Sequence, residues 1–311
     1  LHEAGDRDTF LELAAVADVV VENFRPGTMG RLGLSAETLR QVNPKLIIAS
    51  LSGFGHTGSD TDRPAYDIIV QALSGLMSIT GEGPGKAVRV GTSISDILTG
   101  LYGAIAIVAA LHHRDRTAEG STIDLAMLDC AVAALENAVS RHGVTGEVPE
   151  PLGTRHPSIT PFQAFETKDG ALVIAAGNDA LWRKLCVALD RPELSDDYRL
   201  KTNAARTENH GYLEECLAPC LRQKARVEWL QLFAAAGVPA APIRNIAEVV
   251  ADEHLSSRDM LHEMRDAAGA TFITAGSPLR MNDCSVPLSR RAPELGEDSK
   301  SVLAEWINQV R

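Results

Sequence analysis

Asp96 is the residue whose position in the sequence most strongly suggests chemistry. It lies in VGTSISDILTG, residues 90–100, between a serine-rich turn and one of the most apolar helical runs of the chain. Aspartate is a favoured helix N-cap and contributes about 1 kcal/mol there, so a structural role alone is the simpler interpretation. A carboxylate with a reference pKa of about 3.9 at a helix N-terminus is also ionised at neutral pH and available as a nucleophile. The local pattern leaves both roles open.

The segment ENFRPGTMGR, residues 22–31, is a candidate for binding phosphate. It combines a strand end, the amide of Asn23, the arginines Arg25 and Arg31, a Pro-Gly turn and the start of a short helix. Proteins with α/β folds hold phosphate with such groups at the carboxyl edge of the sheet. A solvated loop with surface arginines accounts for the segment equally well.

Two glycine-rich segments match nucleotide-binding motifs only in part. GFGHTG, residues 53–58, fits the dinucleotide pattern G-x-G-x-x-G, but SDTDRPAYD separates it from the next helix and no acidic residue follows at the ribose-binding distance. We therefore interpret these glycines as a loop that lets the backbone approach a neighbour closely. GEGPGK, residues 81–86, lacks the hydroxyl residue of a P-loop and is interpreted as a turn.

Strands without polar–apolar alternation, separated by helices, predict an open α/β fold. Such strands are typical of a parallel sheet that is covered on both faces. We predict strands at residues 18–22, 46–52, 87–91 and 122–128, and helices at residues 7–16, 35–42, 65–77, after Asp96 and at 129–140. Ser35 is the predicted N-cap of the second helix. The apolar run of residues 97–111 falls short of the roughly 20 residues of a membrane span, so we predict a buried core helix there.

A change in composition predicts a domain boundary. The prolines and glycines of GEVPEPLGTRHPSITP, residues 146–161, disfavour regular structure and indicate a linker. We predict a large domain with an open parallel sheet of α/β type and a smaller α+β domain. The predicted bounds are 1–145 for the first part of the large domain, 146–160 for the linker, 161–265 for the small domain and 266–311 for a segment that returns to the large domain.

Composition and charge argue against several classes of partner. The 30 basic and 41 acidic side chains give a net charge of −11, which repels nucleic acid and acidic membrane surfaces. Five scattered cysteines predict free thiols rather than disulfides, and their spacing fits no zinc site, so no metal is predicted. LHEAGDRDTF, the start of the sequence, lacks the pattern of a secretory leader, and a cytoplasmic location is the expectation.

Several segments together resemble the class III CoA-transferases of the CaiB/BaiF type, the family of formyl-CoA and carnitine CoA-transferases and α-methylacyl-CoA racemase. The resemblance covers the chain from about Phe10 onward and includes VVENFRPGTMGRLGL, SGFGHTGSDTDRPAYDIIVQALSG, the Asp96 segment, DLAMLD and RHPSITPFQAFETKDG. It implies an interlocked homodimer with a Rossmann-like large domain. Family members begin with a further strand-helix-strand segment that contributes to the site, and we expect this chain to lack it.

The resemblance also implies roles for particular residues. It places Asp96 at the catalytic aspartate. The residues that it places in contact with CoA are Asn23, Phe24, Arg25, Arg31, Arg63, Pro64, Ala65 and Tyr66. It implies coenzyme A and acyl-CoA as substrates, a carboxylic acid as the second substrate and no tightly bound cofactor. Small dicarboxylates are the acids that such enzymes use most often.

Tyr66 helps to distinguish the two chemistries of the family. In the racemase branch this position is a histidine, which shuttles the α-proton of an acyl-CoA together with the aspartate. A tyrosine side chain, with a reference pKa of about 10, would need roughly 4 kcal/mol more than a histidine to serve as the base at neutral pH. Tyrosine therefore favours transfer, while racemase activity and CoA binding without catalysis are the alternatives.

The mechanism that the resemblance implies for transfer is covalent. Asp96 attacks the thioester of the donor and forms a mixed anhydride, and the released CoA thiolate then forms a thioester with the aspartate. The acceptor carboxylate takes over CoA through a second anhydride. Loop amides and a tyrosine hydroxyl are able to stabilise the oxyanions.

Overall fold

The structure is a computed structural model that describes residues 4–282, 284–285 and 290–308. The chain divides into two compact units. The first comprises residues 1–153 and 298–311, and the second comprises residues 154–297. At the C-terminal end, residues 298–311 rather than the whole of 266–311 therefore group with the first unit.

A parallel sheet forms the centre of the first unit. Its strands are β1 (Val19–Glu22), β2 (Ile47–Ser52) and β3 (Thr122–Ala126), in the order β1-β2-β3. Both neighbouring pairs are parallel. The central strand, IIASLS, is almost wholly buried, as its lack of charge predicted. The predicted α/β fold with a parallel sheet is thus confirmed.

Seven helices accompany this sheet before residue 154 among the described residues. They are α1 (Ala4–Val16), α2 (Thr28–Arg31), α3 (Ala36–Val42), α4 (Asp67–Leu73), α5 (Ile94–Thr117), α6 (Met127–Ala133) and α7 (Asn137–Thr145). The predicted N-cap of α3 is confirmed, because the Ser35 hydroxyl accepts the backbone N–H of Thr38 at 3.2 Å. α1 and α3 pack together over a core that includes Leu34, Leu39 and Leu46.

Two predicted elements of the first unit are wrong. Residues 87–91 do not form a strand: Ala87 makes only an isolated β-bridge with Gly81, and the N–H of Val90 donates to the side chain of Gln71. The helix predicted at 129–140 is divided into α6 and α7, since Glu136 has a positive φ of 54° that turns the chain. The turn predicted at 81–86 is confirmed by the bends of that segment.

The helix α5 is not the buried core helix that the sequence predicted. Its buried residues are small or polar, namely Ser95, Thr99, Gly103 and Ala110. A Cβ atom at Gly103 would lie 3.1 Å from Leu51 Cδ2, so the helix packs closely on the sheet through this face. The large apolar side chains point away, and Ile105 and Val108 are each 65% exposed. By length and composition this helix alone, among the described residues, could cross a membrane. In the structure 22% of its most apolar window is buried.

The second unit contains an antiparallel sheet packed with helices. Its strands β4 (Phe162–Glu166), β5 (Ala171–Ala175) and β6 (Ala240–Pro242) pair in that order. The helices are α8 (Asp179–Ala188), α9 (Asn203–Glu208), α10 (His210–Leu221), α11 (Arg226–Ala236), α12 (Ile246–Val250) and α13 (Glu253–Ser257). Strand β4 was not predicted. The core includes the buried aromatic side chains of Trp182, Trp229 and Phe233.

Short strands and a last helix complete the described chain. The strands β7 (Leu261–Arg265) and β8 (Thr271–Ala275) pair with each other, and so do β9 (Arg280–Met281) and β10 (Cys284–Ser285). The helix α14 (Ser299–Asn308) contacts α1 in the first unit. All five cysteines are free thiols, as predicted.

Part of the predicted linker belongs to the second unit. The N–H of Thr160 donates to the side chain of Asn203 at 3.0 Å, and its carbonyl accepts from the guanidinium of Arg206 at 2.7 Å. Arg206 is fully buried and pairs with Asp179 at 3.0 Å. The residues just before β4 are therefore held in place by α9 and do not form a free linker.

Candidate active site

A cavity of about 300 Å³ lies at the carboxyl edge of the parallel sheet. Because parallel strands all end at the same edge, the residues that follow them are brought together there. Asn23 follows β1, Ser52 ends β2 and Met127 follows β3. The cavity is lined by Asn23, Phe24, Arg25, Pro26, Ser52, Gly53, Thr61, Arg63, Pro64, Ala65, Tyr66, Asp67, Asp96 and Met127.

The structure brings together all but one of the residues that the sequence singled out. Asp96 lies in the same cavity wall as the residues of the two expected CoA-contacting segments. Arg31 is the exception. Its guanidinium donates to the hydroxyl of Thr28 at 2.7 Å, and it does not line the cavity. The roles of all these residues stay predictions.

The loop after β1 is fixed by its own side chains. The carboxylate of Glu22, which is buried, accepts the N–H of Phe24 at 2.7 Å. The amide of Asn23 donates to the carbonyl of Leu51 on the neighbouring strand at 2.5 Å. These two bonds set the direction of the loop, and Phe24 and Arg25 line the cavity as a result.

Gly53 allows a second segment to approach the end of β2. A Cβ atom at Gly53 would overlap the Cβ of Ala65, at a separation that no real pair of atoms tolerates. The carbonyl of Gly53 also accepts the N–H of Leu128 at 3.1 Å. The interpretation of the glycine-rich loop as a place of close backbone approach therefore holds at this position. Next to it, the guanidinium of Arg63 lies 5.4 Å from the ring centre of Phe54.

Asp96 is the third residue of α5 and is not its N-cap. The N-cap is Ser93, whose side chain makes no capping hydrogen bond. Among the described residues, no side chain forms an ion pair with the exposed carboxylate of Asp96. Partial burial, and then the negative charge of Asp67, raise the pKa of Asp96 above its ordinary value. The carboxylate is thus unpaired and more basic than a free aspartate.

Two polar residues of α4 connect that helix to the start of α5, and sequence reasoning missed both. The carboxylate of Asp67 accepts the N–H of Ser95 at 2.9 Å and the amide of Gln71 at 2.7 Å. Gln71 is fully buried. The signal was present, because these two residues lie four apart in the otherwise apolar DIIVQAL and must share a face of the helix.

The cavity joins a free carboxylate to cationic and hydrogen-bonding groups. Arg25 and Arg63 can bind phosphate or carboxylate groups, and Tyr66 can donate its hydroxyl. Such a cavity is suited to an anionic substrate with an electrophilic carbon that a carboxylate can attack.

The sequence pattern of the CoA-transferase family III matches residues 1–299. The chain belongs to this family. The enzyme class that the resemblance predicted, a class III CoA-transferase, is thereby confirmed.

Individual members of the family are similar over nearly the whole chain. An acetyl-CoA:oxalate CoA-transferase of Acetobacter aceti is 40% identical over 98% of this chain and 78% of its own length. A succinyl-CoA:mesaconate CoA-transferase of Haloarcula hispanica is 40% identical over 96% of this chain and 76% of its own. The crystal structure of a CaiB/BaiF family protein from Brucella suis matches with a TM-score of 0.85 and 38% identity, covering 98% of this chain and 79% of that one.

The close approach of Gly53 and Ala65 is testable by exchanging the methyl group between them. Gly53→Ala alone should lower the free energy of unfolding by about 1–3 kcal/mol, because two Cβ atoms would overlap. Adding Ala65→Gly removes one of the two atoms and should recover most of the loss. Chemical denaturation of both variants and of Ala65→Gly alone gives the coupling free energy. Equal stability of the single and double variants would contradict this packing.

Proposed function

We propose that this family III CoA-transferase moves CoA from an acyl-CoA donor to a carboxylic acid through covalent intermediates on Asp96. The observation that supports the proposal is the position of Asp96. Its unpaired carboxylate lines one cavity with Asn23, Phe24 and Arg25 and with the segment 63–66, which are the residues expected to contact CoA.

The proposed reaction consists of four acyl substitutions. The Asp96 carboxylate attacks the thioester carbon of the donor, which breaks the C–S bond and gives a mixed anhydride and CoA thiolate. The thiolate attacks the aspartyl carbon, which releases the donor acid and leaves CoA as a thioester on Asp96. The acceptor carboxylate attacks this thioester to form a second anhydride and free the thiolate again. Attack of the thiolate on the acceptor acyl carbon yields the new acyl-CoA and regenerates Asp96.

The surroundings of Asp96 suit a nucleophile. A raised pKa makes a carboxylate more basic and hence a better nucleophile, provided that it remains ionised at the working pH. Arg25, Arg63 and Tyr66 line the cavity, and we expect the two arginines to hold the phosphates of CoA and the tyrosine hydroxyl to stabilise an oxyanion. Tyr66 occupies the position where a racemase of this family carries its histidine base, so transfer is favoured over racemisation.

Asp96→Asn tests the covalent mechanism. The amide is a poor nucleophile, so kcat should fall at least about 10³-fold, whereas Asp115→Asn near the other end of α5 should retain full activity. In the wild type, hydroxylamine added with acyl-CoA should modify the peptide that contains Asp96, as mapped by mass spectrometry. Activity should fall as the pH is lowered through the raised pKa of Asp96, because protonation removes the nucleophile. A label on another peptide would reject the assignment.

We further propose small dicarboxylates as the acids exchanged. The names of the two relatives from Acetobacter aceti and Haloarcula hispanica include oxalate and mesaconate, which are both dicarboxylates.

A matrix of donors and acceptors tests the choice of acid. Acetyl-, succinyl- and formyl-CoA are combined with oxalate, mesaconate, acetate and formate, and the new thioesters are separated by chromatography. We expect at least about ten-fold higher kcat/KM for one of the dicarboxylates than for either monocarboxylate. A preference for acetate or formate would contradict the proposal.

We also propose that the enzyme is a homodimer, located in the cytoplasm and without a tightly bound cofactor. The exposed side chains of Ile97, Leu101, Ile105 and Val108 recur at helical spacing and form one apolar stripe along α5. Such a continuous stripe is typical of a surface that another chain covers. The interlocked dimer implied by the resemblance supplies a second copy as that chain.

The stripe gives the homodimer a direct test. Ile105→Glu places a charge in the middle of the stripe and should prevent dimerisation, which light scattering coupled to gel filtration would detect. Arg116→Glu, which changes an exposed position at the end of the same helix, should remain dimeric. Circular dichroism shows whether each variant is folded. A wild-type monomer, or an Ile105→Glu dimer of normal affinity, would contradict the proposal.

A further inference from the structure

The start of α5 is capped by a side chain from another helix. The first N–H groups of a helix have no partner within the helix and need an acceptor from outside. The Ser93 side chain supplies none, whereas the carboxylate of Asp67 on α4 accepts the N–H of Ser95 at 2.9 Å. Ser95 directly precedes Asp96. The helix turn that carries the proposed nucleophile therefore depends on Asp67.

Gln71 extends this contact to the segment that leads into α5. Its amide oxygen accepts the N–H of Val90 at 2.9 Å. Its amide nitrogen donates to Asp67 at 2.7 Å and to the carbonyl of Thr92 at 3.4 Å. Because Gln71 is fully buried, its amide group has no water as an alternative partner. One side chain thus holds both Asp67 and the two ends of the segment 90–92.

We propose that Asp67 and Gln71 are positioning residues of the transfer reaction, which together hold the first turn of α5 in the place from which the Asp96 carboxylate reaches the thioester carbon. This inference rests on the proposed function of Asp96. Neither residue reacts with the substrate itself. Both act by holding the turn of α5 that carries Asp96.

The donors and acceptors allow one arrangement only. An ionised carboxylate at position 67 can only accept, so the NH₂ group of Gln71 must face it and the oxygen of Gln71 must face Val90. In Asp67→Asn, the new amide must contact both the Ser95 N–H and Gln71. If its oxygen faces Ser95, its NH₂ group faces the NH₂ group of Gln71, and turning the Gln71 amide would place that NH₂ group against the N–H of Val90. If its NH₂ group faces Ser95 instead, it opposes the Ser95 N–H. Asp67→Asn should therefore displace the first turn of α5.

The exchange variant Asp67→Asn with Gln71→Glu restores compatible partners. The new amide at position 67 would accept from Ser95 and donate to the new carboxylate at position 71, whose other oxygen would accept from Val90. Only the longest contact, to the Thr92 carbonyl, loses its donor. Gln71→Glu alone opposes two carboxylates and should be impaired. Recovery in the double variant is therefore specific to the pairing.

Asp67 also acts on Asp96 through its charge. After partial burial, the charge of Asp67 is the second cause that raises the pKa of Asp96. The other charged or titratable groups that line the cavity or lie on the helix packed beside α5 are Arg25, Arg63, Tyr66, Asp129 and Cys130. Removing the charge at position 67 should therefore shift the acid limb of the kcat profile to lower pH. A loss of folding stability alone would not move this limb.

The experiment measures kcat, KM and the pH profile of five proteins. They are the wild type, Asp67→Asn, Asp67→Glu, the Asp67→Asn and Gln71→Glu double variant and the control Asp115→Asn. Asp67→Asn should lose about 10- to 100-fold in kcat, as expected for a displaced nucleophile, while KM for acyl-CoA changes less than about three-fold. The double variant should regain at least about ten-fold of this loss. Asp67→Glu keeps the charge but displaces the acceptor, so it should lose kcat without a shift of the acid limb.

The outcomes separate this proposal from the proposed function. If the wild type transfers CoA and Asp96→Asn does not, while Asp67→Asn and Asp67→Glu keep normal kcat, the positioning role is rejected and the function stands. A loss confined to KM, or a double variant no better than Asp67→Asn, would also reject it. If Asp67→Asn does not fold, Asp67→Glu decides alone, since a normal kcat in that variant overturns the proposal. If the wild type itself catalyses no transfer, the proposed function fails first.

Discussion

The register of three parallel strands is the constraint on which the cavity depends. Glu22 pairs with Ser50, and Ser52 pairs with Ala126, so the three strands end within two residues of one another along the sheet. The residues that follow these ends, Asn23, Gly53 and Met127, must then lie side by side. Segments that are more than a hundred residues apart thereby contribute to one wall, and a shift of any strand by one residue would also reverse which side chains face the core.

The helix α5 shows how one element serves two surfaces. Its small residues face the sheet, where Gly103 brings the helix backbone close to Leu51, and its large apolar residues face outward. This is the reverse of an ordinary amphipathic helix, in which the large apolar residues face the core. Close packing through a small-residue face fixes the height of the helix above the sheet, and hence the distance of its first turn from the strand ends.

The features that the sequence predicted are those set by local pattern. A β-branched run predicted β1, a charge-free run predicted β2, and Ser35 predicted the start of α3. The loop after β1 predicted one part of the cavity wall, whereas the segment 63–66 was expected only from the resemblance to the family. Periodicity could not reveal which face of α5 is buried, because its sequence is apolar on nearly every side. The local pattern leaves Asp96 open as an N-cap, because it does not reveal that the acceptor at the start of α5 is Asp67, 29 residues before Asp96 in the sequence. The pattern AVRVG favours a strand at 87–91, and no sequence pattern shows that the side chain of Gln71 accepts the N–H of Val90 instead.

Because a residue of α4 caps α5, the position of the Asp96 carboxylate depends on both helices. An isolated α5 would lack an acceptor for the Ser95 amide, so its first turn would fray although the rest of the helix is long enough to persist. Local opening of α4 removes that acceptor without breaking a single bond of the parallel sheet. On the proposed roles of Asp67 and Asp96, partial opening of α4 on heating would stop catalysis while the parallel sheet remains, so activity would be lost at a lower temperature than the one that spectroscopy records for unfolding.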